Sequence, residues 1–227
     1  MKQLATKSIV LGRIDFGESD RILTLLTSDH GKLSVIAKGV RKPKSRMAGG
    51  IELFSVTDIV FIDGKSDMKT LVSAQLNKNY SHIVQDMPRS MLAYDVLKYT
   101  NKYTESVCED SYFELVQTVL QVLDDIVLPL ALVWLWFGVH ILQISGHGIN
   151  VSTDAHGHKM NADDSFTFDY QNMAFQTHPS GHYTSRHIKL IRLSQTALIK
   201  QLSSVEQGGV IAEDLRQLIT ECIKYNA

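Results

Sequence analysis

Between Leu4 and Leu76 the chain alternates five short apolar runs with polar turns, and no gap between neighbouring runs is long enough for a crossover helix. That spacing constrains the fold more than any other feature. "ATKSIVLGRI" ends at "DFGESD", "RILTLLT" at "SDHG", "KLSVIAKGV" at a basic loop and "IELFSVTDIVFI" at "DGKSD", after which comes "MKTLVSAQL". Runs rich in Ile, Val, Leu, Phe and Thr, bounded by Asp, Gly and Ser, read as strands. Asp63 and Gly64 supply the backbone conformations of a tight hairpin turn. Consecutive parallel strands need a connection of a dozen or more residues. The expectation is therefore an antiparallel sheet curled into a small closed or half-closed barrel.

Two five-stranded barrels fit this pattern, the oligonucleotide-binding fold first and an SH3-like barrel second. After about Asn77 the period changes from two to that of a helix. "MPRSMLAYDVLKYTNKYTES" puts Met91, Leu92, Val96 and Tyr99 near one face, with Pro88 at a first turn, and "CEDSYFELVQTVLQVLDD" does the same with Phe113, Val116, Val119, Leu120 and Leu123. Ile126–Ile144 is apolar almost all round and approaches membrane-spanning length. It carries Pro129, Gly138, His140 and Gln143, lacks flanking Lys or Arg anchors and follows Asp124 and Asp125, so a buried central helix is expected, with Trp134 and Trp136 in the core. Periodicity is lost from Ser145 to Ser185, apart from a short hairpin in "SFTFDYQNMAFQ". Two helices are then expected in "RHIKLIRLSQTALIKQL" and "GVIAEDLRQLITECIKY". The fold class is an all-β plus all-α two-domain chain: a barrel over 1–78, and a helical domain over 79–227 with an irregular insertion at about 146–186.

A formal net charge of −1 gives the whole chain no attraction to polyanions, but the charge is unevenly placed. Residues 1–80 hold 13 of the 23 Lys and Arg and 8 of the 24 Asp and Glu, leaving 10 basic and 16 acidic residues for the remainder. Such asymmetry suggests a basic binding module joined to an acidic body. The only cysteines, Cys108 and Cys222, lie 114 positions apart in segments with helical patterning. They read as reduced thiols in a reducing compartment. The start, "MKQLATKSIVLGRIDF", has no apolar run of the signal-peptide kind.

The basic loop is "AKGVRKPKSR", in which Lys38, Arg41, Lys42, Lys44 and Arg46 put five cations into ten residues without an acid. A solvated turn, a localisation signal and a phosphate-tracking loop all have this composition. The neighbourhood bears on the choice. "ESDRILTLLTSDHGKLSVIAKGVRKPKSR", Glu18 to Arg46, resembles the amino-terminal signature of the RecO family of bacterial recombination mediators, and "IELFSVTDIVFIDGKSDMKTL" resembles the strands that follow it. The likeness is specific over the first 76 residues and architectural beyond them. It implies an oligonucleotide-binding barrel joined to a helical domain, and a cytoplasmic DNA repair and recombination protein. Such a protein would bind single- and double-stranded DNA, anneal complementary strands and assist recombinase loading on DNA coated by single-strand-binding protein. The implied partners are RecR and the acidic carboxyl-terminal tail of single-strand-binding protein, for which Lys189 with Arg192 are candidates. Phosphate contacts fall to Lys38, Arg41, Lys42, Lys44 and Arg46 in the loop, with Arg13, Arg21 and Lys32 on the barrel face or its rim. Only Phe16, Phe54 and Phe61 are available as aromatic platforms there, so backbone contacts should dominate.

Many members of that family carry two Cys-x-x-Cys pairs that hold zinc in the insertion, whereas Gly146 to His187 contains no cysteine. Zinc chemistry is therefore not carried over. His156, His158, His178, His182 and His187, with Asp154, offer imidazole and carboxylate instead, but Pro179 and Gly181 interrupt the helical spacing that would clasp a metal. The expectation is a polar loop packed by Phe166, Phe168, Tyr170 and Phe175, with no metal and no cofactor. The sequence has no Gly-x-Ser-x-Gly elbow, no phosphate-cradling loop ending in Lys-Ser/Thr and no His-Glu-x-x-His. A non-enzyme is expected, and the competing class is an adaptor whose barrel and basic loop bind an acidic protein.

Overall fold

The structure, a computed structural model, describes residues 2–64, 66–105, 109–125 and 128–227. Cys108, Lys65 of the "DGKSD" turn and the first two residues of the expected Ile126–Ile144 helix lie outside them. The chain packs as two compact units, Met1–Ile126 and Val127–Ala227.

Five strands build the first unit: β1 (Lys2–Phe16), β2 (Asp20–Thr27), β3 (Lys32–Ala37), β4 (Ser55–Asp63) and β5 (Lys69–Asn79). They close into a ring in the order β1-β2-β3-β5-β4, with β4 paired back to β1. Four of the five pairings are antiparallel. The fifth, β3 with β5, is parallel and brief, matching Val35 with Lys69 and Ile36 with Thr70. This corrects the expectation of a wholly antiparallel barrel. The ban on parallel neighbours applies to consecutive strands; here β4 and its loops serve as the crossover. β1 is long enough to serve two neighbours, β4 along Lys2–Ile9 and β2 along Ser8–Phe16, with a bulge between Val10 and Gly12 that bends the strand where it passes from one to the other.

Alternation then separates inside from outside. Leu23, Leu25, Val35, Ala37, Ile59 and Phe61 fill the barrel with Val10, Val40, Ile51 and Leu71, while Ile22, Thr24, Ser34 and Ile36 take the other parity and face out. A short 3-10 turn at Ala48–Gly50 closes one end. At Gly50 a Cβ would stand 2.7 Å from the Ala74 carbonyl oxygen of β5, so only glycine permits this approach.

Two helices complete the first unit. α1 (Met87–Tyr103) begins at Asp86, whose side chain accepts the Arg89 N–H, with Pro88 in its first turn as the sequence predicts. α2 is Asp110–Asp125. The five predicted apolar positions of α2 are all buried, but in α1 Met91 is 63% exposed, and the inner face is formed by Leu92, Ala93, Val96, Leu97, Tyr99 and Thr100. Expected to begin the second domain, these helices pack on the barrel instead. The compact boundary consequently lies near residue 126, not near 78. Composition marks the change of period at 78, but packing decides the boundary.

In the second unit α3 (Leu130–Ile144) is buried on every side from Ala131 to Val139. Its indoles are core residues with satisfied donors: Trp134 donates to Thr220 Oγ1 at 3.1 Å and Trp136 to the Ala197 carbonyl at 3.1 Å. The insertion holds a three-stranded sheet of β6 (Ser165–Asp169), β7 (Ala174–Thr177) and β8 (Tyr183–Thr184), so the predicted hairpin gains a third, two-residue strand. The last two predicted helices appear as α4 (Ser185–Ser194), a 3-10 turn at Ile199–Ser204, α5 (Gly208–Asp214) and α6 (Arg216–Tyr225). The first of them ends early, where the Ala197 carbonyl is taken by Trp136 and Gln195 donates to the Ile149 carbonyl at 2.8 Å. Among the described residues no helix is long and apolar enough to cross a membrane.

The Gly50 contact can be checked against its neighbour. Gly50→Ala should destabilise the chain by about 1–3 kcal/mol through overpacking. Gly49→Ala, whose Cβ meets nothing within 4 Å, should stay within about 0.5 kcal/mol of the parent in urea unfolding followed by circular dichroism. Equal midpoints for the two variants would contradict the close approach.

Candidate nucleic-acid interface

Antiparallel pairing of β2 with β3, with Arg21 opposite Ala37, sends the chain out of β3 at the same rim of the barrel as the β1–β2 hairpin tip, Gly17–Ser19, and the two segments are tied together. The Gly39 amide donates to Asp20 Oδ1 at 2.7 Å, the Arg41 amide to the Ser19 carbonyl at 2.9 Å, and Arg41 Nη1 to the Gly17 carbonyl at 3.4 Å. Gly39 has a φ of +64°, which a side chain would strain, and the stem of Lys42 lies directly over it. The loop turns again through Lys42 N–H to the Gly39 carbonyl and Ser45 N–H to the Lys42 carbonyl. It is thus a shaped turn with charged ends left in solvent.

The eight predicted cations divide into three groups. Lys38, Lys42, Lys44 and Arg46 are exposed, and among the described residues none of them is in an ion pair. Arg13, Arg21 and Arg41 stand at the rim with carboxylate partners. Arg13 pairs with Glu52 at 2.8 Å, and Asp15 bridges Arg21 at 2.8 Å and Arg41 at 3.4 Å. Lys32 does not join them. Its ammonium donates to the Asn101 carbonyl at 2.7 Å, in the last turn of α1, where a cation complements the helix dipole and joins the Thr104 hydroxyl as a donor to that oxygen.

Three acids and three isoleucines escape any reading of the sequence alone. Asp15, Asp20 and Glu52 sit close to the cations only because of strand register and the loop's path, so no local spacing announces them. The Arg21 hydrogen bond is the chief cause that holds the Asp15 carboxyl below its ordinary value of 3.8, with Arg41 and Arg13 adding to it. Asp20 is lowered from 3.8 chiefly by the Gly39 amide, with Ser19, Lys38 and Lys42 contributing. Register also aligns Ile14 with Ile22 and Ile22 with Ile36, giving an apolar row across three strands of the outer face, with Ile14 69% exposed. Phe16, 51% exposed, is the one predicted aromatic platform on the surface, since Phe54 and Phe61 are buried. An apolar strip bordered by free cations suits a polymer with planar bases and a phosphate backbone.

The histidines serve local structure. Asp154 accepts the amides of His156 at 2.9 Å and His158 at 2.7 Å, His178 Nδ1 accepts the Ser180 amide, and His187 Nδ1 accepts the Thr184 amide at the start of α4. Among the described residues no group of three or more His, Cys, Asp or Glu is placed to hold a metal ion. Cys222 is buried in apolar surroundings that push its thiol up to about 12, far from the value of a nucleophile.

Comparison with known proteins gives a consistent picture. Residues 1–80 match the family described as "Recombination protein O N terminal". The chain is 31% identical over 143 residues to a protein of Dehalococcoides mccartyi named DNA repair protein RecO, which covers 63% of this chain and 56% of that one. It is 38% identical over 86 residues to the protein of the same name from Desulfitobacterium hafniense, covering 38% and 31%. With the one from Acetivibrio thermocellus it shares 35% over 101 residues, covering 44% and 40%. The matched segments thus span less than two thirds of these relatives' own length.

Because Asp20 holds the Gly39 amide more strongly when ionised, the loop latch is at full strength above 3.8 and weakens as the pH falls through the lowered value. The Gly39 amide proton, followed by NMR, should titrate with a midpoint below 3.8. A midpoint at or above 3.8 would mean that the latch is not formed.

Proposed function

Since the chain belongs to the RecO family, we propose that it acts in DNA repair and recombination as a binding protein without covalent chemistry. It would hold single- and double-stranded DNA, anneal complementary strands and, with RecR, assist recombinase loading on DNA coated by single-strand-binding protein in the cytoplasm. The observation that carries this reading is the shaped loop on the barrel rim with Lys38, Lys42, Lys44 and Arg46 exposed and, among the described residues, in no ion pair. The strand order β1-β2-β3-β5-β4 supports assignment to the oligonucleotide-binding class, whose strands 2 and 3 and first hairpin loop form the usual ligand face. Ile22 lies on β2 and Ile36 on β3, and Ile14 and Phe16 lie at the adjoining end of β1 that leads into the hairpin.

The mechanism is electrostatic. Two complementary strands repel each other through their phosphates, and cations that replace condensed counterions lower that barrier for any sequence. The loop supplies the cations, and the apolar row gives splayed bases a surface. Neither step needs a nucleotide or a metal.

A groove of about 390 Å³ between α4 and α5 supports the second partner. It is lined by Leu190, Leu193, Val205 and Ile211, with two cations, Arg186 and Lys189, against one acid, Glu206. Such a site suits a peptide of acids that ends in apolar residues. Of the two candidate cations Lys189 lines this groove together with Arg186, whereas Arg192 donates to the Val151 carbonyl.

Replacing Lys38, Lys42, Lys44 and Arg46 by Ala should flatten the plot of log affinity against log salt for single-stranded DNA by roughly 0.7 for each phosphate no longer neutralised. Annealing of complementary oligonucleotides should slow in parallel, with or without ATP. Unchanged affinity in the folded variant would favour the acidic-protein adaptor, and cleavage of DNA would refute the reading. For the groove, Leu193→Glu should weaken binding of a fluorescent acidic peptide with an apolar carboxyl end by at least about tenfold, as expected when a charge enters an apolar contact. Equal binding by the variant would remove the groove as its site.

A further inference from the structure

We propose that the Asp15 carboxylate occupies a phosphate site, lying between Arg21 and Arg41 where a phosphodiester of bound nucleic acid would lie, so that binding exchanges one anion for the other. This rests on the nucleic-acid reading above. Two guanidinium groups from different elements, β2 and the loop, converge on this one carboxylate, Arg21 Nε on Oδ1 at 2.8 Å and Arg41 Nη2 on Oδ2 at 3.4 Å. One negative charge therefore faces two positive ones, which leaves the site attractive to a second anion. Two oxygens of a phosphodiester sharing one charge match the two donors that a carboxylate now engages. Asp15 is half exposed, and ion pairs at that exposure are weak enough to be displaced.

The loop does not depend on this bridge. Its position is fixed by the Arg41 amide on Ser19, Arg41 Nη1 on Gly17 and the Gly39 amide on Asp20. Removing the charge of Asp15 therefore frees two cations while the loop that carries Arg41 stays in place, whereas removing that of Asp20 loosens the turn that presents Lys38 and Lys42. Two carboxylates of one hairpin, five residues apart, should have opposite effects on binding.

The experiment measures fluorescence anisotropy of a labelled oligothymidylate against the full chain at several salt concentrations, for the parent, Asp15→Asn and Asp20→Asn, with melting curves to confirm folding. Asp15→Asn should bind at least about threefold more tightly at low salt, from loss of a negative charge within a Debye length of the phosphates, and its salt slope should steepen by roughly 0.7. Asp20→Asn should bind more weakly. The gain from Asp15→Asn should largely vanish in an Arg41→Ala background. Equal or weaker binding by folded Asp15→Asn, with the parent still binding, overturns this inference alone and makes Asp15 a tether of the loop. Failure of the parent to bind at low salt overturns both this inference and the function it rests on.

Discussion

The antiparallel pairing of β2 with β3, which sets Arg21 opposite Ala37, is the contact on which the functional surface depends. The two-residue parallel pairing of β3 with β5 then closes the sheet. Because β3 must leave the ring after Ala37 and β4 re-enters it only at Ser55, the intervening chain is forced over one rim. The β1–β2 hairpin ends at that same rim. The β2–β3 register thereby puts the most cationic segment of the chain against a hairpin whose tip and flanks carry Glu18, Asp15 and Asp20. Gly50, pressed on the Ala74 carbonyl, and the bulge after Val10 are the local accommodations that let the ring shut.

Electrostatics at this rim sort the cations by role. Carboxylates engage the arginines, whose planar groups make directed pairs, while the three loop lysines and Arg46 stay in solvent. The paired residues give the surface a shape and the free ones give it a charge. A chain with net charge −1 can attract a polyanion only by such segregation. The pairing also means that the number of basic residues overstates the positive charge presented at the rim.

The second unit is built on a different principle. α3 buries all of its faces from Ala131 to Val139, so its surroundings must supply partners to both indoles, and they do so through Thr220 and Ala197. The insertion is small, and Asp154 and His187 hold it through backbone hydrogen bonds. Of the side chains that could have been ligands, Asp154, His178 and His187 accept backbone amides in turns and at a helix start. The groove between α4 and α5 combines the exposed cations of α4 with apolar walls, a pairing that follows from the amphipathic period of α4.

The sequence by itself determined the five strands, the position and charge of the basic loop, the buried faces of α2 and α3, and the short hairpin of the insertion. These are local properties: period two or three and a half, turn residues at fixed places, and charge within ten residues. Only the tertiary structure decided which ends of the ring meet, which helices join the barrel, and which cations are free. Met91 has the spacing of a buried residue, yet it is exposed because α1 packs through the adjacent face. Lys32 is no different in sequence from Lys38, but its partner is a carbonyl 69 residues away, and Arg13 meets Glu52 across 39 residues. Ion pairs of that range depend on register and loop path, which no local pattern encodes.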